Sequence, residues 1–246
     1  MFNDFAALDA AKAKLDALRP LPPALVRNLH EDLVLRWTYH SNAIEGNTLT
    51  LQETKVVLEG ITVGGKLLRE HFEAINHRDA IFYVEDIVQR REPLTEWQIR
   101  NIHQLVLKNI DDENAGRYRT INVLIAGAEH RPPEALHVPT QMADFVTWYD
   151  TQAQALHPIE RAARVHADFV KIHPFVDGNG RTGRLLMNLE LLKAGFPAVI
   201  LPVEQRLRYY AALDEAHVHG RYADFLKLIV ACVQQGFERY WQALGK

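Results

Sequence analysis

His173-Pro174-Phe175-Val176-Asp177-Gly178-Asn179-Gly180-Arg181-Thr182-Gly183-Arg184 is the stretch on which the reading of this chain turns. A helical pattern precedes it and must close near His173, because the residue before a proline is pushed out of the α region. A second pattern follows, from Arg181 through Leu185, Leu186, Leu189 and Leu192. Asp177 to Gly180 is therefore a loop at a helix N-terminus, where unpaired N–H groups and the positive dipole end suit a phosphate. Gly178 and Gly180 let the backbone approach an anion closely. Arg181 and Arg184, three apart, share a helix face. Two cations in a first helical turn oppose the macrodipole, which makes sense if a polyanion sits there. Asp177 could hold Mg²⁺ against that polyanion. His173 has the ordinary pKa of a general base, and Asn179 offers an amide donor to phosphate.

Outward from this loop the chain reads as mostly helical. Helical patterns cover residues 5–18, 24–44, 66–90, 140–155, 159–172, 181–194, 203–217 and 222–243. Pro20, Pro22 and Pro23 separate the first two. Thr50 with Glu53, three residues on, has the form of a capping box, and Thr95 with Gln98 opens another helix after Pro93. Residues 117–139 differ: Tyr118 to Ile125 is rich in β-formers, then come Gly127 and Arg131-Pro132-Pro133. That predicts a β-hairpin or flap within a helical protein. A helical region over 1–90 is expected to pack on a core of 91–246.

The 246 residues carry a formal net charge of -3, so no basic field points to nucleic acid. No apolar run approaches the length of a membrane span. The N-terminus lacks the basic and apolar regions of a signal peptide. One cysteine, Cys232, cannot form an internal disulfide and reads as a core residue. A cytoplasmic setting is the expectation.

Residues 173–184 match every fixed position of H-P-F-x-[D/E]-G-N-G-R-x-x-R, and the sequence thereby resembles the Fic family. The flap pattern G-x-Y-R-x-x-x-V is matched by Gly116, Tyr118, Arg119 and Val123, with Pro132-Pro133 following. Glu45-Gly46-Asn47 and Gly65-Lys66-x-x-Arg69-Glu70 look like the N-terminal region of many members. The resemblance covers most of the chain from about residue 38 to 230.

It implies an all-α fold with a β-hairpin flap, ATP and Mg²⁺ at the site, and transfer of AMP to a Ser, Thr or Tyr hydroxyl of a protein target. His173 would deprotonate the hydroxyl, and Asp177 would ligate Mg²⁺. Asn179, with the N–H groups of Gly178 and Gly180, would stabilise the α-phosphoryl charge, and Arg181 and Arg184 would hold the β- and γ-phosphates. Thr182 and Gly183 complete the nucleotide-binding run. Val123, Leu124, Ile125 and Ala126 align with the part of the flap that covers the nucleotide, and Tyr209, Tyr210 and His217 with further contacts, ordinary helix packing being the other reading of the tyrosines. The exposed flap edge would take up the target by strand addition.

Ser41-Asn42-Ala43-Ile44-Glu45-Gly46 matches the family's inhibitory motif, [S/T]-x-x-x-E-[G/N], placed N-terminal to the signature as in class II members. A carboxylate near a helix C-terminus opposes the dipole, so a cationic partner would explain Glu45. In the family that partner is Arg184, and the pair would bar it from the γ-phosphate. Some members also remove AMP. A homodimer and self-modification are further expectations.

Two other readings stay open: transfer of UMP or phosphocholine at the same site, and a catalytically silent ATP-binding module. His77-Arg78-Asp79 begins like a kinase catalytic loop, but the Asn required five residues after the Asp is Val84. It reads as helix surface. No Walker ending follows the glycine loop, and the His217-x-His219 pair has no third metal ligand in sequence.

Overall fold

In chain order the helices are α1 (Ala6–Asp16), α2 (Pro23–Ile44), α3 (Leu51–Leu58), α4 (Leu68–Gln89), α5 (Glu96–Leu107), α6 (Val138–Thr151), α7 (Pro158–Ile172), α8 (Asn179–Lys193), α9 (Arg206–His219) and α10 (Ala223–Ala243). The structure, a computed structural model, describes residues 5–245. Short 3₁₀ turns cover 135–137, 153–155 and 203–205, the second taking the end of one predicted helix and the third the start of another. None of the described helices is long and apolar enough to cross a membrane.

The helix boundaries follow local chemistry. The capping box before α3 forms as expected: Glu53 N–H donates to Thr50 Oγ1 at 3.1 Å, and Thr50 N–H to Glu53 Oε2 at 2.8 Å. Thr95 caps α5 through its side chain alone, accepting from Gln98 N–H. At the centre lie α7 and α8, joined by the glycine loop. Arg181 to Leu191 of α8 are all buried, so this helix is enclosed on every side. Each fully buried Leu or Phe adds roughly 1.5–3 kcal/mol. The close approach of α7 depends on Gly183, where a Cβ would come within 2.8 Å of Val170 Cγ2. Two buried polar side chains in the body of α8 are paired. Asn188 exchanges two 2.8 Å bonds with Val199, and Glu190 accepts from Arg161 and Tyr149, each at 2.8 Å. α2, α4, α5, α9 and α10 surround the pair, and one contiguous apolar core runs from Phe5 to Phe237.

Two expectations are corrected. Residues 117–134 form no β-hairpin, and no strand occurs among the described residues. Side chains have taken the partners that a ladder would need. The Ile121 and Pro133 carbonyls accept from Arg119, Ala135 N–H donates to Asn122, and the Glu129 and His130 N–H groups donate to Asp214. Pro132 and Pro133 have no N–H to offer. The second correction is His77, which is enclosed rather than on a helix surface. It shares a face of α4 with Ala74, Ala80, Ile81 and Val84, and only Arg78 and Asp79 reach partly outward.

Candidate active site

The chain leaves α7 at His173, which takes a left-handed conformation, φ 50° and ψ 57°, while its N–H still reaches Phe169 O at 3.2 Å. A non-glycine residue held there costs of order 1–3 kcal/mol, so the surrounding packing fixes it. The turn that follows is clamped by Asn179. Its Oδ1 accepts from Phe175 N–H at 3.0 Å and its Nδ2 donates to Phe175 O at 2.8 Å. The amide expected to face phosphate is thus engaged in shaping the loop. Gly178 sits at φ 76°, and a Cβ there would come within 3.2 Å of His103 Nε2.

His103 was not singled out in the sequence, where it is one more residue of an amphipathic helix. In the fold its ring stacks on Phe175 at 3.5 Å. Its Nδ1 accepts from Gly116 N–H at 2.9 Å, so Nε2 carries the proton and donates to Asp177 O, also at 2.9 Å. Burial pushes its pKa down to about 4, against the pull of the Asp177 carbonyl. A neutral imidazole of fixed tautomer therefore joins the flap base to the glycine loop.

The charges around the loop form a chain. Burial alone would raise the Asp177 pKa, but Arg181, the Gly178 N–H and Arg69 outweigh it and hold the carboxyl below its ordinary value. Arg69 donates to Asp177 Oδ2 at 2.6 Å and to Glu73 at 3.1 Å. Arg181 is only 2% exposed, lies 3.4 Å from Asp177 and 3.6 Å from Glu73, and has no hydrogen-bond partner at Nε or Nη1. An enclosed guanidinium with unused donors beside a helix N-terminus calls for an anion. Arg69 and Glu73 are the members of this chain that sequence reasoning gave no role. Among the described residues no group of three or more His, Cys, Asp or Glu could hold a metal by itself. One ionised carboxylate beside a phosphate-binding loop suits Mg²⁺, which binds few protein ligands and completes its shell with phosphate oxygens and water.

Arg184 is spoken for. Its Nη2 donates to Glu45 Oε1 at 2.7 Å and to Ser41 O at 2.8 Å, its Nε to Ser41 Oγ at 3.0 Å, and its Nη1 to Tyr209 OH at 3.4 Å. The guanidinium side chain is 3% exposed against 33% for Glu45. Burial alone would lower the Arg184 pKa, yet Glu45 and Tyr209 keep it raised. Glu45 also lies directly over Gly180, where any Cβ would collide with Oε1. Gly46, at φ 99°, turns the chain away after it.

A cavity of about 270 Å³ opens beside this pair, lined at one end by Glu45, His173 and Gly180. Tyr209, Tyr210, Asp214 and His217 of α9 and Ile125 and Ala126 of the flap are among the other lining residues. Of the four flap residues aligned with nucleotide contacts, Val123 and Leu124 lie outside this lining, and Leu124 is 81% exposed. Thr182 and Gly183 also lie outside it, enclosed within α8. His217 donates from Nε2 to Ala167 O at 2.9 Å, and burial lowers its pKa to about 4. The His173 pKa also falls to about 4, through burial first, which with Arg119 and His130 outweighs Val170 and Glu45. At neutral pH His173 is therefore uncharged and able to take a proton. Arg119 ties the flap to this point, donating to His173 O at 2.8 Å as well as to Ile121 O and Pro133 O. A larger groove of about 700 Å³, lined by Leu21, Val26, Leu33 and Tyr240 among others, shares none of these residues.

The sequence and the fold both resemble those of known proteins. Residues 93–191 match the profile of the Fic/DOC family. The chain is 38% identical over 238 residues to the Nematostella vectensis protein named Protein adenylyltransferase Fic, covering 95% of this chain and 55% of the relative. It is 40% identical over 225 residues to Protein adenylyltransferase fic-1 of Caenorhabditis elegans, covering 90% and 44%. The chain thus spans about half the length of the curated relatives it matches. The solved structure of C. elegans Fic-1, residues 134–508, superposes with a TM-score of 0.87 at 34% identity, covering 97% of this chain and 72% of that one. A Fic domain-containing signaling protein from Bacteroides thetaiotaomicron gives 0.90 at 29% identity, with 97% of each chain covered. On the signature loop, the all-helical architecture and these likenesses together, the chain belongs to the Fic family.

Proposed function

We propose that this chain is a protein adenylyltransferase, moving AMP from ATP to a Ser, Thr or Tyr hydroxyl of a protein, and that Glu45 holds it inactive. The observation that carries the reading is the enclosed Arg181, with free donors, beside the Gly178–Gly180 helix N-terminus and a neutral His173. The relatives' printed names support the same activity. His173 would take the proton of the target hydroxyl as its oxygen bonds to the α-phosphorus. The bond from that phosphorus to the bridging oxygen would break, and pyrophosphate would leave with the electron pair. The N–H of Gly180, joined by that of Gly178 once it leaves Asp177 Oδ1, would face the charge growing on the α-phosphoryl oxygens. Arg181 would hold the β-phosphate, and Arg184, once released from Glu45, the γ-phosphate. Mg²⁺, when bound at Asp177, would supply charge neutralisation across the phosphates. The N-terminal 1–90 region would then serve as the brake on a 91–246 catalytic core.

Glu45 lines the same cavity as His173, and its Oε2 makes no hydrogen bond among the described residues. That arrangement favours a second activity, the removal of AMP, with Glu45 orienting a water. In this reading the protein works in the cytoplasm as a homodimer. The exposed side chains of Ile61, Leu67 and Leu68 offer the apolar surface for a second copy, and sedimentation across a concentration series checks it.

The test is label transfer from α-³²P-ATP with Mg²⁺, to the protein itself and to added lysate. Glu45→Gly is expected to label, and Glu45→Gly combined with His173→Ala to lose about 10²–10⁴-fold, the usual contribution of a general base. Equal labelling in the two would remove His173 from the reaction. Labelling from UTP but not ATP would replace the substrate.

A further inference from the structure

The last four carbonyls of a helix have no partner within it. In α2 these belong to Ser41, Asn42, Ala43 and Ile44, and all four are satisfied. Two are closed locally: Asn42 O accepts from the N–H groups of Glu45 and Asn47, at 3.0 and 3.1 Å, and Ala43 O from that of Gly46 at 3.1 Å. The other two are closed from across the site. Ser41 O accepts from Arg184 at 2.8 Å, and Ile44 O accepts from the Tyr210 hydroxyl at 3.1 Å. The tyrosine hydroxyl is itself engaged, accepting from Arg206 Nε at 3.4 Å, with the Arg206 guanidinium 5.5 Å from the ring centre. A positive group on the oxygen makes the hydroxyl a stronger donor.

The position of that bond matters. Ile44 O lies in the rigid peptide plane shared with the nitrogen of Glu45. Holding the carbonyl therefore fixes the orientation from which the Glu45 side chain departs toward Arg184. Tyr209, the preceding residue, contacts Arg184 directly at 3.4 Å. Adjacent tyrosines of α9 thus hold the two sides of the ion pair, one at the arginine and one at the backbone behind the carboxylate. We propose that Tyr210 is a positioning residue for the Glu45 brake, acting through the Ile44–Glu45 peptide. This rests on reading Glu45 as a brake.

Tyr210→Phe keeps the ring and removes only the hydroxyl. Amide hydrogen exchange over residues 41–47 is measured without nucleotide, and label transfer is measured in the wild-type and Glu45→Gly backgrounds. Exchange of the Glu45 and Gly46 amides is expected to quicken about fivefold, the weight of one hydrogen bond. Label transfer is expected to rise by a similar factor in the wild-type background and to show no rise in Glu45→Gly. Unchanged exchange would overturn the proposal. So would a rise of equal size in both backgrounds, which would show Tyr210 acting on substrate rather than through Glu45. The exchange measurement needs no transfer activity. A protein that transfers no AMP in any variant would therefore defeat the functional reading alone and leave exchange to decide this one.

Discussion

Glu45→Gly should make the protein faster and less stable at once. Glu45 Oε1 sits 2.7 Å from Arg184 Nη2, with the guanidinium enclosed and the carboxylate about one-third exposed. Removing one partner of a fully buried pair commonly costs about 3–5 kcal/mol, because a naked charge is left behind. Arg184 is not left naked, since Ser41 Oγ, Ser41 O and Tyr209 OH still accept from it. Exposure of the carboxylate screens the pair further. A single charge-assisted hydrogen bond, about 1–3 kcal/mol, is then the right scale. As a bias between blocked and free Arg184, that is a factor of about 5–150. As stability, for a chain of this size, it is a melting temperature lower by roughly 2–12 °C. Differential scanning fluorimetry reads the second quantity and α-³²P-ATP transfer the first. Glu45→Gln, which keeps the shape and loses the charge, should fall between. A lower melting temperature with transfer unchanged, while ATP still binds, would refute the brake and leave Glu45 a structural ion-pair partner.

Further outcomes follow from the same contacts. Arg119→Lys should fail to replace arginine, because one ammonium cannot reproduce a guanidinium fork reaching the His173, Ile121 and Pro133 carbonyls. Hydrogen exchange over 121–135 should rise and transfer in the Glu45→Gly background should fall, and unchanged exchange would contradict this. His103→Leu leaves Gly116 N–H and Asp177 O without their partner, each costing about 1–3 kcal/mol. Melting temperature and nucleotide affinity should both drop, measured by fluorimetry and titration calorimetry. Stability should also fall in mild acid. His103, His173 and His217 have pKa values near 4, and His77 and His166 lie well below the ordinary value, chiefly through burial. The unfolded chain, with histidines near about 6.5, binds more protons below that pH. The stabilisation is therefore complete above it and declines as pH drops toward 4. Thermal melts from pH 7.5 to 4.5 check this, and a constant melting temperature between pH 7 and 5 would contradict it.

The linear chain already contained its helices, its glycine loop and its match to the family's inhibitory motif, because each is written in neighbouring residues. The Thr50–Glu53 box, Pro174 after α7 and the positive-φ turn at Gly178 act within a few positions of themselves. Local rules read them directly, and the density of the signature made the family legible. The flap was misread for the opposite reason. Its β-forming side chains suggest a ladder, but Arg119, Asn122 and Asp214 take the backbone partners first, and two of those contacts come from helix α9. His103 and Glu73 carried no local signal, since a buried histidine or an acid on a helix acquires a role only from what packs against it. His77 likewise passed for surface until the packing of α4 enclosed it. The Glu45–Arg184 pair spans 139 residues of chain. The motif named its two ends, but only the packing of α2 against α8 and α9 decided that the Glu45 carboxylate, the Ser41 carbonyl and hydroxyl and the Tyr209 hydroxyl meet at one guanidinium. Hydrogen bonds between distant elements depend on where the folded core sets their backbones, and that distance is not a property of sequence spacing.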